Sequence, residues 1–231
     1  MAINDYIMVS LVAMLTGLDR VALVQSMISR PLVAGPLAGL VLGNPLVGLE
    51  AGMLLELLWL GRLPVGAAIP PDDTQVTIGA TVLALSLEAV PGFHGGMPLV
   101  ILCVLTAIPL GKFGQIFDRL ARSANDRLAS AAEKALASGD QAAVERIHLM
   151  GLGSFALSSL ATAVVIVLCG TIVLTFALPY LIDAVRQAGL SLQYSLILVG
   201  AAVLLGTINV NRSVSLFCAS FTGTLLVLWL R

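Results

Sequence analysis

The chain has 231 residues, of which 58% are hydrophobic and 11% charged, with a mean hydropathy of +1.02 and a net charge of −1. Twelve basic and 13 acidic side chains cannot cover the outside of a soluble domain of this size, so the chain is read as an integral membrane protein. The near-neutral balance excludes the basic face that nucleic acid requires.

The N-terminus, MAINDYIMVSLVAMLTGLDR, carries Asp5 before its apolar run and Asp19-Arg20 after it, without a basic leader region, and no cleaved signal peptide is expected. The next forty or so residues are dense in glycine and proline, from Pro31, Gly35, Pro36, Gly39 and Gly43 to Pro45, Gly48 and Gly52. The spacing of Gly35, Gly39 and Gly43 places bare backbone on one helical face, and Gly48 with Gly52 repeats the device, as close helix packing requires. Arg30-Pro31 and Asn44-Pro45 bracket a first segment of about a dozen residues, short of the roughly 20 that cross a bilayer, so it reads as half of a re-entrant hairpin.

The stretch that carries chemistry runs from Glu56 to Asp73, ELLWLGRLPVGAAIPPDD. Pro64, Pro70 and Pro71 remove backbone donors and Gly61 and Gly66 permit unusual dihedrals, so helix is interrupted between the carboxylates of Glu56 and Asp72. Unwound backbone at membrane depth is tolerated where protein or a water-filled cavity satisfies it, and such a break flanked by acids points to a transporter binding site. Gly66, Ala67 and Ala68 leave main-chain groups open to a ligand, and Glu56 and Asp72 offer acceptors for hydroxyl groups, a chemistry suited to a sugar. Each residue has a plainer reading beside this one. Asp72 followed by Gln75 has capping-box spacing for a helix starting near Thr74, with Asp73 as the alternative cap. Trp59 reads as an interface anchor before it reads as a sugar platform. Glu50 and Glu88 also lie in apolar surroundings and rank below Glu56.

Between Lys112 and Arg146 six of the 12 basic residues gather with acids in an Ala- and Leu-rich stretch, which predicts a water-exposed helical hairpin turning at Ser138-Gly139-Asp140. The positive-inside rule places this hairpin, residues 112–147, in the cytoplasm. Charge-free stretches at 31–49, 89–111, 149–182, 187–211 and 213–230 are candidate membrane segments. The one at 149–182 exceeds a single crossing and reads as a tilted helix, a helix broken near Gly170 or Pro179, or a helix continuing into water. Cys103, Cys169 and Cys218 lie in apolar runs without ligand spacing and read as small buried hydrophobes, so no metal site or cofactor is expected. His94 and His148 read as exposed loop residues.

The run from Ser29 to Asp73 resembles the IIC membrane component of the mannose, fructose and sorbose family of the phosphoenolpyruvate-dependent sugar phosphotransferase system. The resemblance rests on Arg30-Pro31-Leu32, the Gly-spaced segment ending Leu42-Gly43, Leu55-Glu56-Leu57 with Leu60-Gly61, and Gly66-Ala67-Ala68 followed by Pro71-Asp72. The chain departs from it at Asp73-Thr74-Gln75, where the family continues with leucine and alanine, and at Asn44, where it often has Asp. The resemblance implies a permease subunit that is not itself an enzyme. Such a subunit sits in the bacterial cytoplasmic (inner) membrane, assembles with an integral IID subunit into an oligomeric complex, and works with the IIA and IIB phosphocarrier proteins. It implies sugar binding at Glu56, Gly66, Ala67, Ala68 and Asp72, an elevator-like shift of a core domain, and phosphorylation of a hexose-type sugar by IIB.

The expected architecture is an all-α polytopic membrane protein with one membrane domain over 1–231. It comprises a substrate-binding region at 29–91 with broken segments, the cytoplasmic hairpin at 112–147, and C-terminal membrane helices at 149–231. Two other functions fit the residues: an ion-coupled secondary transporter with Glu56 as coupling carboxylate, and a non-transporting regulatory membrane scaffold.

Overall fold

The computed structural model describes residues 2–59, 69–88, 96–207 and 213–229. Among them the chain is helical: α1 (Ile3–Val21), α2 (Pro31–Val41), α3 (Pro45–Trp59), α4 (Asp73–Glu88), α5 (Gly96–Leu110), α6 (Lys112–Ala137), α7 (Gln141–Thr207) and α8 (Ser213–Trp229). No strand occurs among the described residues.

Gly35, Gly48 and Gly52 act as the sequence suggests, whereas Gly43, expected on the same packing face, lies past the end of α2 and forms the turn instead. Helices α2 and α3 fold into a short hairpin around Gly43, whose φ of +86° is the left-handed turn conformation that glycine adopts without strain. Gly35 and Gly48 face each other so closely that a Cβ on either would collide with the other's carbonyl, and a Cβ on Gly52 would strike the carbonyl of Pro31. The two backbones touch along their length, which any larger side chain would prevent. At 11 residues α2 rises about 16 Å, roughly half a hydrocarbon core.

Helix α4 is the central post. Every residue from Thr74 to Ala84 is buried, and a helix enclosed on all sides belongs at the middle of a bundle. One side of it joins Leu55, Trp59, Leu99, Ile101, Ile166 and Leu174 in a core shared with α3, α5 and α7. Its other side, through Ile78 and Val82, packs on Val9, Ala13, Ala34, Ala38 and Ala163 of α1, α2 and α7. Gly79 gives way to Ile166 and Gly170 to Leu83, so α7 lies tightly along the post. Trp59 is 6% exposed within this core and is not an interface anchor.

Helices α5 and α6 meet at a bend of 40° beside Pro109 and Gly111. The hairpin then forms with its turn at Ser138-Gly139-Asp140, Gly139 taking a φ of +76°. Its arms are joined by Asn125, which accepts a hydrogen bond from Ser154 Oγ at 2.6 Å and donates to the Gly151 carbonyl at 3.3 Å, and by Arg122 stacked 5.8 Å over Phe155.

The second arm fits one of the three readings of 149–182, a helix continuing out of the apolar run, and excludes the break near Gly170 or Pro179. It does not end near residue 147 but continues without interruption through Gly170 and Pro179 to Thr207, so the segment at 149–182 is part of one 67-residue helix. Asp183 and Arg186, expected to separate two membrane segments, lie within that helix. His148 is exposed but helical, lining a mostly apolar cleft between α6 and α7. The cysteines divide: Cys103 is buried, Cys169 half-buried and Cys218 exposed, against the reading of all three as buried hydrophobes. His94 lies outside the described residues. Among the described residues one helical stretch, Gln141–Leu181, is long and apolar enough to cross a membrane by itself, with α5 and α6 together as a second, bent candidate.

Candidate functional site

Pro70 and Pro71 lead into α4, and Asp72 stands at its N-cap. Its Oδ1 accepts a hydrogen bond from the Gln75 backbone N–H at 3.0 Å, so the capping reading holds for Asp72 rather than Asp73. The reciprocal half of a capping box is missing. Gln75 sends its side-chain amide to the Ala13 carbonyl of α1 at 2.9 Å, while the Asp72 backbone N–H donates to the Gly111 carbonyl at 3.1 Å. Gly111 and Gly114 at the corner between α5 and α6 let this loop approach; a Cβ on Gly114 would sit 2.6 Å from the Asp72 Cβ. Gln115 completes the seat by donating to the Ile69 carbonyl at 2.6 Å.

Arg20, at the end of α1, supplies the counter-charge. Its guanidinium lies 2.6 Å from Asp72 Oδ1 and 3.0 Å from Asp73 Oδ1, and it donates to the Pro71 carbonyl at 3.1 Å. One guanidinium therefore binds two carboxylates and a carbonyl, a geometry suited to its planar fork of donors. Asp72 Oδ2 makes no hydrogen bond with the described residues, which leaves an acceptor beside the pair.

Glu56, on α3, is engaged in a parallel way. Its Oε1 lies 3.2 Å from Arg30 Nη1, and its Oε2 accepts from the Leu32 backbone N–H at 3.3 Å. Arg30 is the N-cap residue of α2 and Leu32 lies in its first turn. Each carboxylate thus sits at the positive end of a helix, Glu56 at α2 and Asp72 at α4, with an arginine beside it.

The two centres are joined. Thr74 Oγ1, in the first turn of α4, donates to the Ser29 carbonyl at 2.6 Å, one residue before Arg30. Asp19 reaches the same segment from α1, accepting from Ser26 N–H at 2.6 Å, Ser26 Oγ at 2.8 Å and Ser29 N–H at 3.1 Å. The fold brings Glu56 and Asp72 into one polar cluster that also holds Asp19, Arg20, Ser26, Ser29, Arg30, Asp73 and Thr74. Gly66, Ala67 and Ala68 lie outside the described residues. Glu50, expected either in apolar surroundings or at a loop end, lies within α3, and Glu88 is the last residue of α4.

The arginines were the partners that sequence reasoning passed over. Their signal was scarcity: before residue 112 the only basic residues are Arg20, Arg30 and Arg62. In an apolar setting such residues pair with the few available acids.

Solved structures share this multihelical fold with its buried central helix. One is described only as a membrane protein; it aligns with 97% of this chain and 87% of its own at a TM-score of 0.72 and 24% identity. Another, the mannose transporter ManYZ in complex with a microcin, aligns with 97% of this chain and 87% of its own at a TM-score of 0.64 and 25% identity. The sequence model described as "PTS system sorbose-specific iic component" matches residues 3–228. The chain belongs to this IIC family of the phosphotransferase system, a family of the bacterial inner membrane. The mannose-specific EIIC component of Escherichia coli K12 is 29% identical over 162 residues, covering 70% of this chain and 57% of that protein. The fructose permease IIC component of Bacillus subtilis is 26% identical over 205 residues, covering 88% of this chain and 72% of its own length. The chain therefore spans little more than half the length of the mannose-specific relatives it matches.

Proposed function

We propose that the chain is the sugar-translocating IIC subunit of a phosphotransferase permease, that it binds a hexose-type sugar at Glu56 and Asp72, and that it moves the sugar inward for phosphorylation by a IIB partner. The observation that carries this reading is the pairing of each acid with an arginine inside one network. A sugar hydroxyl both donates and accepts, and a carboxylate beside a guanidinium offers an acceptor and a donor at adjacent positions. Glu56 and Asp72 each keep lone pairs after their pairing, whereas an isolated carboxylate would offer acceptance alone. Gly66, Ala67 and Ala68, between the two acids in sequence, would contribute main-chain groups to the same pocket.

A IID membrane subunit and the IIA and IIB carriers are the partners implied by the family. The short α2–α3 hairpin is read as a re-entrant element, and the α6–α7 hairpin with its basic residues as the cytoplasmic face. The arginine at Glu56 weighs against an ion-coupled transporter, because a coupling carboxylate must take up and lose its cation readily and a standing ion pair opposes that.

Uptake of labelled mannose or fructose by cells producing the chain with its partner subunits tests the reading. The double variant Glu56→Gln, Asp72→Asn is expected to lose uptake while still reaching the membrane. Undiminished uptake would remove both residues from the site, and uptake that collapses on dissipating the ion gradient would favour the ion-coupled alternative.

A further inference from the structure

The segment between α1 and α2, residues 22–30, is built without glycine yet holds three residues in the left-handed region: Val24 at φ +57°, Gln25 at +55° and Met27 at +68°. A β-branched residue there is a genuine outlier, and runs of such backbone persist only where the surroundings hold them. Contacts of the loop's own apolar side chains do not hold it, because Leu23, Val24, Met27 and Ile28 are all exposed.

The side chain that reaches into it is Asp19. As a residue Asp19 is 4% exposed, and its carboxylate forms no ion pair with a described residue. Its charge is met by the Ser26 N–H, the Ser26 hydroxyl and the Ser29 N–H, which between them use both of its oxygens. The tether grips the strained stretch from within, at Ser26 between Gln25 and Met27, and again two residues past its end, at Ser29. Ser29 in turn offers its carbonyl to Thr74, and Arg30 reaches Glu56.

We propose that Asp19 is the positioning residue of the site: it staples the loop in its left-handed conformation and so sets Arg30 against Glu56 and Ser29 against the first turn of α4. Asp19 touches neither Glu56 nor Asp72; it acts through the loop. Its neighbour Arg20 serves the other carboxylate directly, so two consecutive residues at the end of α1 govern both halves of the network. Release of the staple lets the loop relax toward ordinary dihedrals and withdraws the Arg30 guanidinium from Glu56. The positioning role rests on the sugar reading of Glu56; the staple itself does not.

Two measurements separate these parts, both on the full chain copurified with its IID partner in detergent. The first is hydrogen exchange of the peptide covering residues 22–30. Asp19→Ala is expected to raise its exchange at least tenfold while α4 stays protected, and Asp19→Asn, which presents N–H donors where an acceptor is needed, to raise it less. Unchanged exchange in both variants overturns the staple. The second is a double-mutant cycle on the dissociation constant of labelled mannose and fructose, using Asp19→Asn, Arg30→Gln and the two together. Each single change is expected to weaken binding about tenfold, and the pair no more than Arg30→Gln alone, because both act through the same contact. A loosened loop with unaltered sugar affinity, or fully additive losses, overturns the positioning role. Glu56→Gln is the control: if it binds sugar as the unaltered chain does, the sugar reading falls and the positioning role falls with it, and the exchange result still decides the staple.

Discussion

Arg20 and Asp72 lie 2.6 Å apart, linking the last turn of α1 to the cap of α4 across a chain separation that spans the whole α2–α3 hairpin. The same guanidinium holds Asp73, so a single side chain neutralises two adjacent acids at one helix end.

Loss of that cation leaves two partly buried carboxylates facing each other. Arg20→Gln is expected to lower stability by about 3 kcal/mol, in the range for breaking a buried pair from one side, with some relief from the solvent that still reaches it. Arg20→Lys should recover part of the loss, since an ammonium lacks the fork that serves two carboxylates and a carbonyl together. Thermal unfolding of the purified protein in detergent measures both.

The glycine contact between α2 and α3 makes a sharper steric prediction. Gly48→Ala places a methyl group against the Gly35 carbonyl and is expected to cost about 2–3 kcal/mol, because backbone cannot step aside as a side chain can. Gly43→Ala meets open space, and its cost of about 1 kcal/mol is the penalty of a left-handed φ alone. Equal losses in the two variants would show that the backbones do not touch.

Thr74→Val deletes the 2.6 Å hydrogen bond to Ser29 with little change of shape, in a side chain that is 1% exposed as a residue. A loss of about 1–2 kcal/mol is expected, mainly from the Ser29 carbonyl left unpaired. Thr74→Ser, which keeps the hydroxyl, should lose less, and comparison of the two by thermal unfolding isolates the bond from the packing.

Asp140 caps the long helix α7, its carboxylate accepting from the Ala143 backbone N–H at 2.9 Å. Asp140→Ala is expected to fray the first turn at a cost of about 1 kcal/mol and to leave sugar uptake intact, as the hairpin turn lies apart from the acid network. Faster proteolysis at the turn, with unchanged transport, is the outcome to look for.

Much of this molecule was legible along the chain. The glycine spacing predicted the touching backbones of α2 and α3, the hairpin turn was found at Ser138-Gly139-Asp140, and the Asp72 to Gln75 spacing marked the start of α4 to within a residue. These are local signals, carried by residues within a turn or two of one another. The errors were of another kind. Charges at Asp183 and Arg186 suggested a boundary where α7 runs on, because charge marks exposure and says nothing about whether a helix stops. Cys218 looked buried by its apolar neighbours, yet it is exposed, as a helix facing lipid or a partner would leave it.

Composition and spacing by themselves indicated that the chain lives in a membrane and that α2 and α3 pack backbone to backbone, and they marked Glu56 and Asp72 as candidate acids. Those conclusions follow from what each residue costs in an apolar medium, a property that needs no coordinates. Only the tertiary structure decided that the acids are paired, that Arg20 and Arg30 are the partners, and that Asp19 ties down the loop between them. Those facts depend on distances between residues far apart in the chain, and Coulombic and hydrogen-bond energies take their sign and size from the distance.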